Sequence, residues 1–296
     1  MADIKPTAQS TAVKTTARTV TSAKPKSGSN VISWVAPILA IIAGYCIWRF
    51  VLGNASNFDN KNIPAANLDG FWPDRGEPKT GIVRMYQGGI IVPILIALFI
   101  IVITFSIERL LTIARATGKG NISEFIRNVQ YNLANKDIDK AVALCDRQRG
   151  SVGNVMKSGL LKYKEMTGNI DLTTEQKVAN IQKEIEESTA LELPALEKNL
   201  VFLSTISSVA TLLGLLGTVI GMIRAFAALA ASEGGNASTQ LSQGISEALF
   251  NTALGIGTSA IAVIMYNILT TRIDGITFGI DESGFTLTQS FTALYK

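Results

Sequence analysis

The sequence predicts an all-α polytopic membrane protein with four transmembrane helices and a cytoplasmic helical region. Three observations predict it. Of 296 residues, 47% are hydrophobic and only 17% charged, where soluble domains carry about a quarter charged residues. Mean hydropathy is +0.29, and the apolar residues gather in four uncharged blocks, each long enough to cross ~30 Å of hydrocarbon at ~20 residues per helix. Between the second and third blocks lies polar chain with helical periodicity.

Residues 1–30, rich in Thr, Ser, Ala and Lys with Pro6 and Pro25, cannot bury a core and read as a flexible cytoplasmic tail. Residues 31–52 carry the first block. It is too long, and follows too long a leader, to be a cleaved signal peptide, and no small-x-small site follows it, so it reads as an anchor retained in the membrane. Trp34 and Trp48 near its ends suit interfacial anchoring. Residues 53–87, with Pro64, Pro73, Pro78 and Phe71-Trp72, read as a periplasmic loop with little regular structure. The second span is 88–107, with Pro93 in its first turns.

Residues 108–199 form the cytoplasmic helical region. Ile122, Phe125, Ile126, Val129 and Leu133 repeat at helical spacing, and Ile138, Val142 and Cys145 repeat it in a second short helix. Gly150 and Gly153 are expected to break the chain. From Thr174 a polar amphipathic helix, kinked at Pro194, is expected to run straight into the third span, 200–230. A periplasmic loop at 231–243, the fourth span at 244–271 and a cytoplasmic C-terminal tail at 272–296 complete the chain. Positive charge sets the orientation: the N-terminal tail is basic, and Arg109, Arg115 and Lys119 follow the second span. Residues 53–87 hold four bases and four acids, as an exported loop can.

Composition excludes several functions. The chain has no histidine, which removes Ser-His-Asp and Cys-His catalysis and every histidine metal site. Cys46 and Cys145 lie in an apolar block and a charged region, so neither a disulfide nor a metal cluster is expected. No nucleophile–base pair or phosphate loop is visible, so neither an enzyme nor a bound cofactor is expected. The net charge of +4 fits basic membrane flanks better than nucleic-acid binding.

Polar residues inside the spans are the informative ones. At 100° per residue, Ser207, Thr211, Gly214, Gly217, Thr218, Gly221, Ala225 and Ala228 share an arc of about 120°. Gly244, Ala248, Asn251, Thr252, Gly255, Ser259 and Ala262 share one of about 100°. Gly214, Gly217, Gly221 and Gly255 read as helix-packing positions, because small residues let helices approach closely in lipid. Thr211, Thr218 and Thr252 have two readings. A membrane threonine can bond its own backbone, or carry water or a hydrated ion, since a hydroxyl both donates and accepts. Glu247 is the one acid of the fourth span before Asp274. A carboxylate in lipid costs several kcal/mol unless protonated, paired or wetted, so it is a candidate for taking up and releasing a proton. The alternative places it at the interface, favouring the helix dipole from the first turn. Arg224 is expected to snorkel to the exported surface.

These residues resemble a known family. GLLGTVIGMIRAF at Gly214–Phe226, GISEALFNTALG at Gly244–Gly255 and Tyr266-Asn267 are similar to the MotA/TolQ/ExbB proton-channel family, most of all to ExbB, over roughly residues 88–272. IERLLTIARA at Ile107–Ala116 adds weaker support. The resemblance implies a multi-pass inner-membrane subunit that forms a homo-oligomer, a pentamer, around the single-span helices of an ExbD-like dimer. It further implies that proton-motive force energises a TonB-like protein for outer-membrane transport, and that Thr218, Glu247 and Thr252 occupy pore-lining positions. Thr211 and Ile261 stand where the family often has proline, and the N-terminal block is extra. A TolQ-like envelope role, a MotA-like motor and a non-conducting scaffold are the alternatives.

Overall fold

The computed structural model describes residues 28–59, 73, 75–231 and 237–295. The expected tail at 1–27, most of the loop at 60–72 including Phe71-Trp72, and the side chain of Trp34 lie outside the described residues. Helix α1 is Gly28–Cys46, continued by a π turn at Ile47–Leu52. Short 3₁₀ turns at Ala55–Asn57 and Ile82–Gly88 flank a two-residue antiparallel ladder of β1 (Phe58–Asp59) and β2 (Glu77–Pro78). Then come α2 (Ile91–Ala116), α3 (Ile122–Ala134), α4 (Ile138–Gln148), α5 (Gly150–Gly168), α6 (Thr174–Glu197), α7 (Leu200–Ala231) and α8 (Ala237–Leu294). Four helices are long and apolar enough to cross a membrane.

The membrane part packs α2 against α1 on one side and α7–α8 on the other. Gly44 of α1 lets the two helices touch backbone to backbone: a Cβ there would stand 2.6 Å from the Pro93 carbonyl oxygen. The chain between α1 and α2 is folded more than the sequence suggested. Trp48 has protein neighbours at the end of the first span. It is buried, stacks on Tyr86 at 4.4 Å between ring centroids, and donates from Nε1 to the Tyr86 carbonyl. Tyr86 donates its hydroxyl proton to the Pro73 carbonyl at 2.7 Å, Arg75 donates to the Gly53 carbonyl, and Phe58 meets Tyr86 edge-on. The end of α1 and the chain before α2 are therefore one aromatic-cored cap.

The second part is a bundle of α3, α4, α5, α6 and the far half of α8. Local signals start its helices: Asn121 accepts from the Ser123 amide, Asp137 from the Lys140 amide, and Thr173 and Gln176 form a reciprocal capping box. Gly153 does not break the chain. It sits inside α5, where a Cβ would be 3.1 Å from the Cys145 carbonyl oxygen of α4. Cys145 is buried, and burial pushes its thiol up to about 12, so it is a packing residue rather than a reactive one.

Two boundaries and one side chain differ from the sequence reading. The amphipathic helix does not run into the third span: α6 ends at Glu197 and the chain turns at Lys198 and Asn199, the latter at φ +66. Arg109, counted above among the positive flanks, is internal. Its guanidinium is 2% exposed, grips the neighbouring Glu108 carboxylate, and donates to the Ala195 carbonyl at 3.1 Å, while Asn199 donates to the same carboxylate. The turn between α6 and α7 is thus tied to the end of α2. Last, residues 272–294 are not a loose tail. They continue α8 without interruption, and Ile273, Ile276, Ile280, Leu287 and Phe291 face the bundle core at helical spacing.

Candidate functional site

Thr252 and the predicted packing glycines lie along the pairing of α7 with α8, which run antiparallel through the membrane part. The two small-residue arcs face each other within this one chain. A Cβ on Gly255 would stand 2.5 Å from the Ala210 carbonyl oxygen and 2.8 Å from Gly214 Cα; one on Gly217 would meet Asn251 Cβ at 2.5 Å; one on Gly221 would meet Ala248 Cβ at 2.8 Å; one on Gly244 would meet Ala225 Cβ at 2.6 Å. The helices approach closely along four successive contacts because side chains are missing where the backbones meet.

The threonines divide. Thr252 donates across the seam to the Gly214 carbonyl at 3.1 Å. Thr218 donates to the Leu215 carbonyl and Thr211 to the Ser207 carbonyl, both within α7. Each of these hydroxyls keeps acceptor capacity. Thr218 also borders a shallow groove of about 540 Å³ on the outer face of α7, lined by Val219, Met222, Ile223 and Phe226. The structure brings Thr252 and the four packing glycines together at the seam and leaves Thr211 and Thr218 away from it.

Glu247 is partly buried, and the Arg224 charge acts on it. Glu247 is not in the first turn of its helix. The helix starts at Ala237, so the expected loop at 231–243 is shorter and Glu247 lies almost three turns inside α8, beyond the reach of the terminal dipole. The Arg224 guanidinium sits against Gly89, within 2.8 Å of where a Cβ would be, and Gly89 has φ +71, a conformation glycine adopts at no steric cost. Among the described residues no ion pair joins Arg224 to Glu247.

Asn251, one turn deeper than Glu247, carries more of the site than the sequence reading gave it. It is 3% exposed and donates from Nδ2 to the Gly88 carbonyl at 3.3 Å, while its Oδ1 has no partner among the described residues. The signal was present: an amide one helical turn from the single membrane acid needs partners that lipid cannot give. Its partner, at the very start of the second span, was not readable from pattern. Among the described residues no cluster of His, Cys, Asp or Glu could hold a metal ion.

Comparison with known proteins adds to this geometry. Residues 148–282 match the MotA/TolQ/ExbB proton channel family, which covers α5 to α7 and most of α8 and leaves α1 to α3 and all but the last residue of α4 outside the match. The chain is 41% identical over 86 residues to the Tol-Pal system protein TolQ of Haemophilus influenzae, covering 29% of this chain and 37% of that protein. It is 29% identical over 133 residues to the TolQ of Pseudomonas aeruginosa, covering 43% of this chain and 57% of that one. It is 36% identical over 72 residues to the biopolymer transport protein ExbB of Salmonella typhimurium, covering 24% and 29%. The aligned stretches thus span less than two thirds of each of these relatives.

Proposed function

We infer that a chain whose residues 148–282 are of the MotA/TolQ/ExbB proton channel family is the wall subunit of a proton channel in the cell inner membrane. Several copies, a pentamer, surround the single-span helices of an ExbD-like partner, and the complex passes the energy of proton flow to a TonB-like protein that opens outer-membrane transporters. Thr218, Glu247, Thr252 and Thr211 are the ion-path residues of this reading, and Gly214, Gly217, Gly221 and Gly255 hold the wall together.

One observation carries the reading: Glu247 is the single carboxylate within the apolar lengths of the four spans, and it sits almost three turns inside α8 rather than at the helix end. An acid at that depth is retained at a cost of several kcal/mol, which a proton-relay task explains. Each elementary charge moved through 100 mV releases ~2.3 kcal/mol, so a few protons suffice for a conformational step in the partner. The uncovered apolar groove beside Thr218 supports a seat for an apolar partner helix.

The 41% identity to a TolQ favours a second reading, in which the same core drives a TolA-like partner for envelope maintenance. Co-purification separates the two by which partner is retained. Glu247→Gln, Thr218→Ala and Thr252→Ala should each lower proton flux into vesicles, and energy-dependent uptake in cells, at least several-fold without reducing the amount inserted. Full flux and uptake in all three variants would overturn the channel assignment in favour of a non-conducting scaffold.

A further inference from the structure

We propose that the corner where α2 passes into α3, beside the last turn of α4, is a binding site for a phosphate group. A soluble phosphate ester and a phospholipid head both carry that chemistry. The proposal is independent of the proton-channel reading: of the residues that wall the site, Gln148 alone falls inside the stretch that matches the family.

The site is a cavity of about 230 Å³. Two cations stand on its walls, Lys119 from the corner and Arg147 from α4. Both are exposed, and among the described residues neither is in an ion pair. The start of α3, a helix of 13 residues, forms another wall. Asn121 caps it by accepting from the Ser123 amide, and the other amides of a first turn are left for whatever lies before the helix. An anion there also gains from the helix dipole. Gly120, at φ +87, brings bare backbone to the same wall, and a Cβ on it would meet nothing within 4 Å.

Cations and a helix end occur on many surfaces, and Gln148 sets this one apart. It lines the cavity, is 7% exposed, and its Nε2 has no acceptor among the described residues. A buried amide donor left without an acceptor is costly, and what it lacks is an oxygen. Its backbone is already fixed. The Gln148 carbonyl accepts from the Lys119 amide at 2.8 Å. The two corners meet through glycines, since a Cβ on Gly150 would stand 2.7 Å from the Gly118 nitrogen. Lys119 and Gln148 are thus held side by side before any ligand arrives.

These donors select the ligand. An ammonium, a guanidinium fork, a side-chain amide and helix amides come from separate elements, and a phosphate has acceptor oxygens to face them all. The volume falls below the roughly 300 Å³ at which pockets for drug-sized ligands begin, so the cavity takes a phosphate head and leaves the rest of its molecule outside. Glu124 is the one acid on the walls. It is exposed in the first turn of α3, where its own charge favours the dipole in the absence of a ligand. Helix α2 runs on from Ile107, the end of its uncharged length, to Ala116, a further ~14 Å at 1.5 Å per residue, which favours a soluble ester over a lipid head.

The test is calorimetric titration of the full chain with inorganic phosphate at constant ionic strength, in maltoside detergent and in nanodiscs containing phosphatidylglycerol. Saturable millimolar or tighter binding, one phosphate per chain, is expected in detergent. Arg147→Ala and Gln148→Met should each weaken it at least tenfold, Glu124→Gln should tighten it several-fold, and Lys183→Ala, which removes an exposed cation of α6, should leave it unchanged. Arg147 is exposed, so its truncation should keep the unfolding midpoint measured without phosphate. Binding retained in the nanodiscs supports the site with a soluble ester as its ligand, and binding blocked there supports it with the lipid head. No saturable binding in detergent, or equal affinity in the native chain, Arg147→Ala and Gln148→Met, would overturn the site and leave the channel reading untouched.

Discussion

The two halves of α8 are held by opposite means. In the membrane half the residues facing the protein are small: Gly244, Ala248, Asn251, Gly255 and Ala262 are buried, while Leu249, Ile256, Val263 and Ile264 point outward. In the far half the pattern inverts, with Ile273, Ile276, Ile280, Leu287 and Phe291 inside and Arg272, Asp274, Asp281 and Glu282 outside. One continuous helix changes its packing logic at about the Arg272 level. The solvent is the cause. Lipid tails are as apolar as leucine, so helices gain nothing by hiding large side chains and gain by close backbone approach. In water, burying a large side chain is the main driving force. A substitution that harms one half should therefore be of the opposite kind from one that harms the other.

The largest expected effect is a truncation in the aqueous half. Phe291 is fully buried, with Tyr163 edge-on at 4.9 Å and Tyr295 stacked at 4.8 Å. Phe291→Ala should destabilise the bundle by about 3–5 kcal/mol and leave membrane insertion unchanged. Protease resistance of the bundle in intact membranes reads the first, and carbonate extraction reads the second. If Phe291→Ala were tolerated, the far half of α8 would not be core, and the inversion along the helix would fail.

Several parts of this architecture were legible in the sequence and others were not. The spans follow from uncharged length, and the seam from glycines at helical spacing, because both signals are local. The continuation of α8 past Arg272 was missed: a charged Arg272–Asp274 pair marks the end of the membrane and not the end of the helix, and no proline follows. The periodic Ile273, Ile276, Ile280, Leu287 and Phe291 held the clue. The break at Asn199 and the burial of Arg109 were not readable, because the four groups involved are brought together by folding: Glu108 and Arg109 bind Asn199 and the Ala195 carbonyl from about 90 residues away. The seam glycines read as helix-packing positions, without the identity of the partner helix. Periodicity gives a face, and it does not say what the face meets.

Enlargement in the membrane half should have the next largest effect. Gly255→Ala places a methyl 2.5 Å from the Ala210 carbonyl oxygen and 2.8 Å from Gly214 Cα. Both are backbone, and neither can swing aside, so a cost of about 1–3 kcal/mol is expected from overpacking, enough to pull Thr252 from the Gly214 carbonyl. Thermal unfolding of the purified complex measures it. An unchanged midpoint would show that the two helices separate easily at this point, and the contrast with the far half would lose its membrane side.

The smallest effect has the opposite sign and tests where the small-residue rule stops. Gly275 lies four residues beyond the end of the fourth span, and a Cβ there meets nothing within 4 Å. No close approach requires glycine at this site, and its helix propensity is worse than that of alanine by roughly 0.5–1 kcal/mol. Gly275→Ala should therefore stabilise the bundle by about that amount, seen as a small upward shift of its unfolding midpoint. The result discriminates further, because Gly275 shares a helix face with Phe278 and Phe285, which are 70% and 69% exposed. A loss of stability in the assembled complex with a gain in the isolated chain would mean that a second copy packs against this stripe, and that close-approach packing extends from the membrane into water wherever two copies meet.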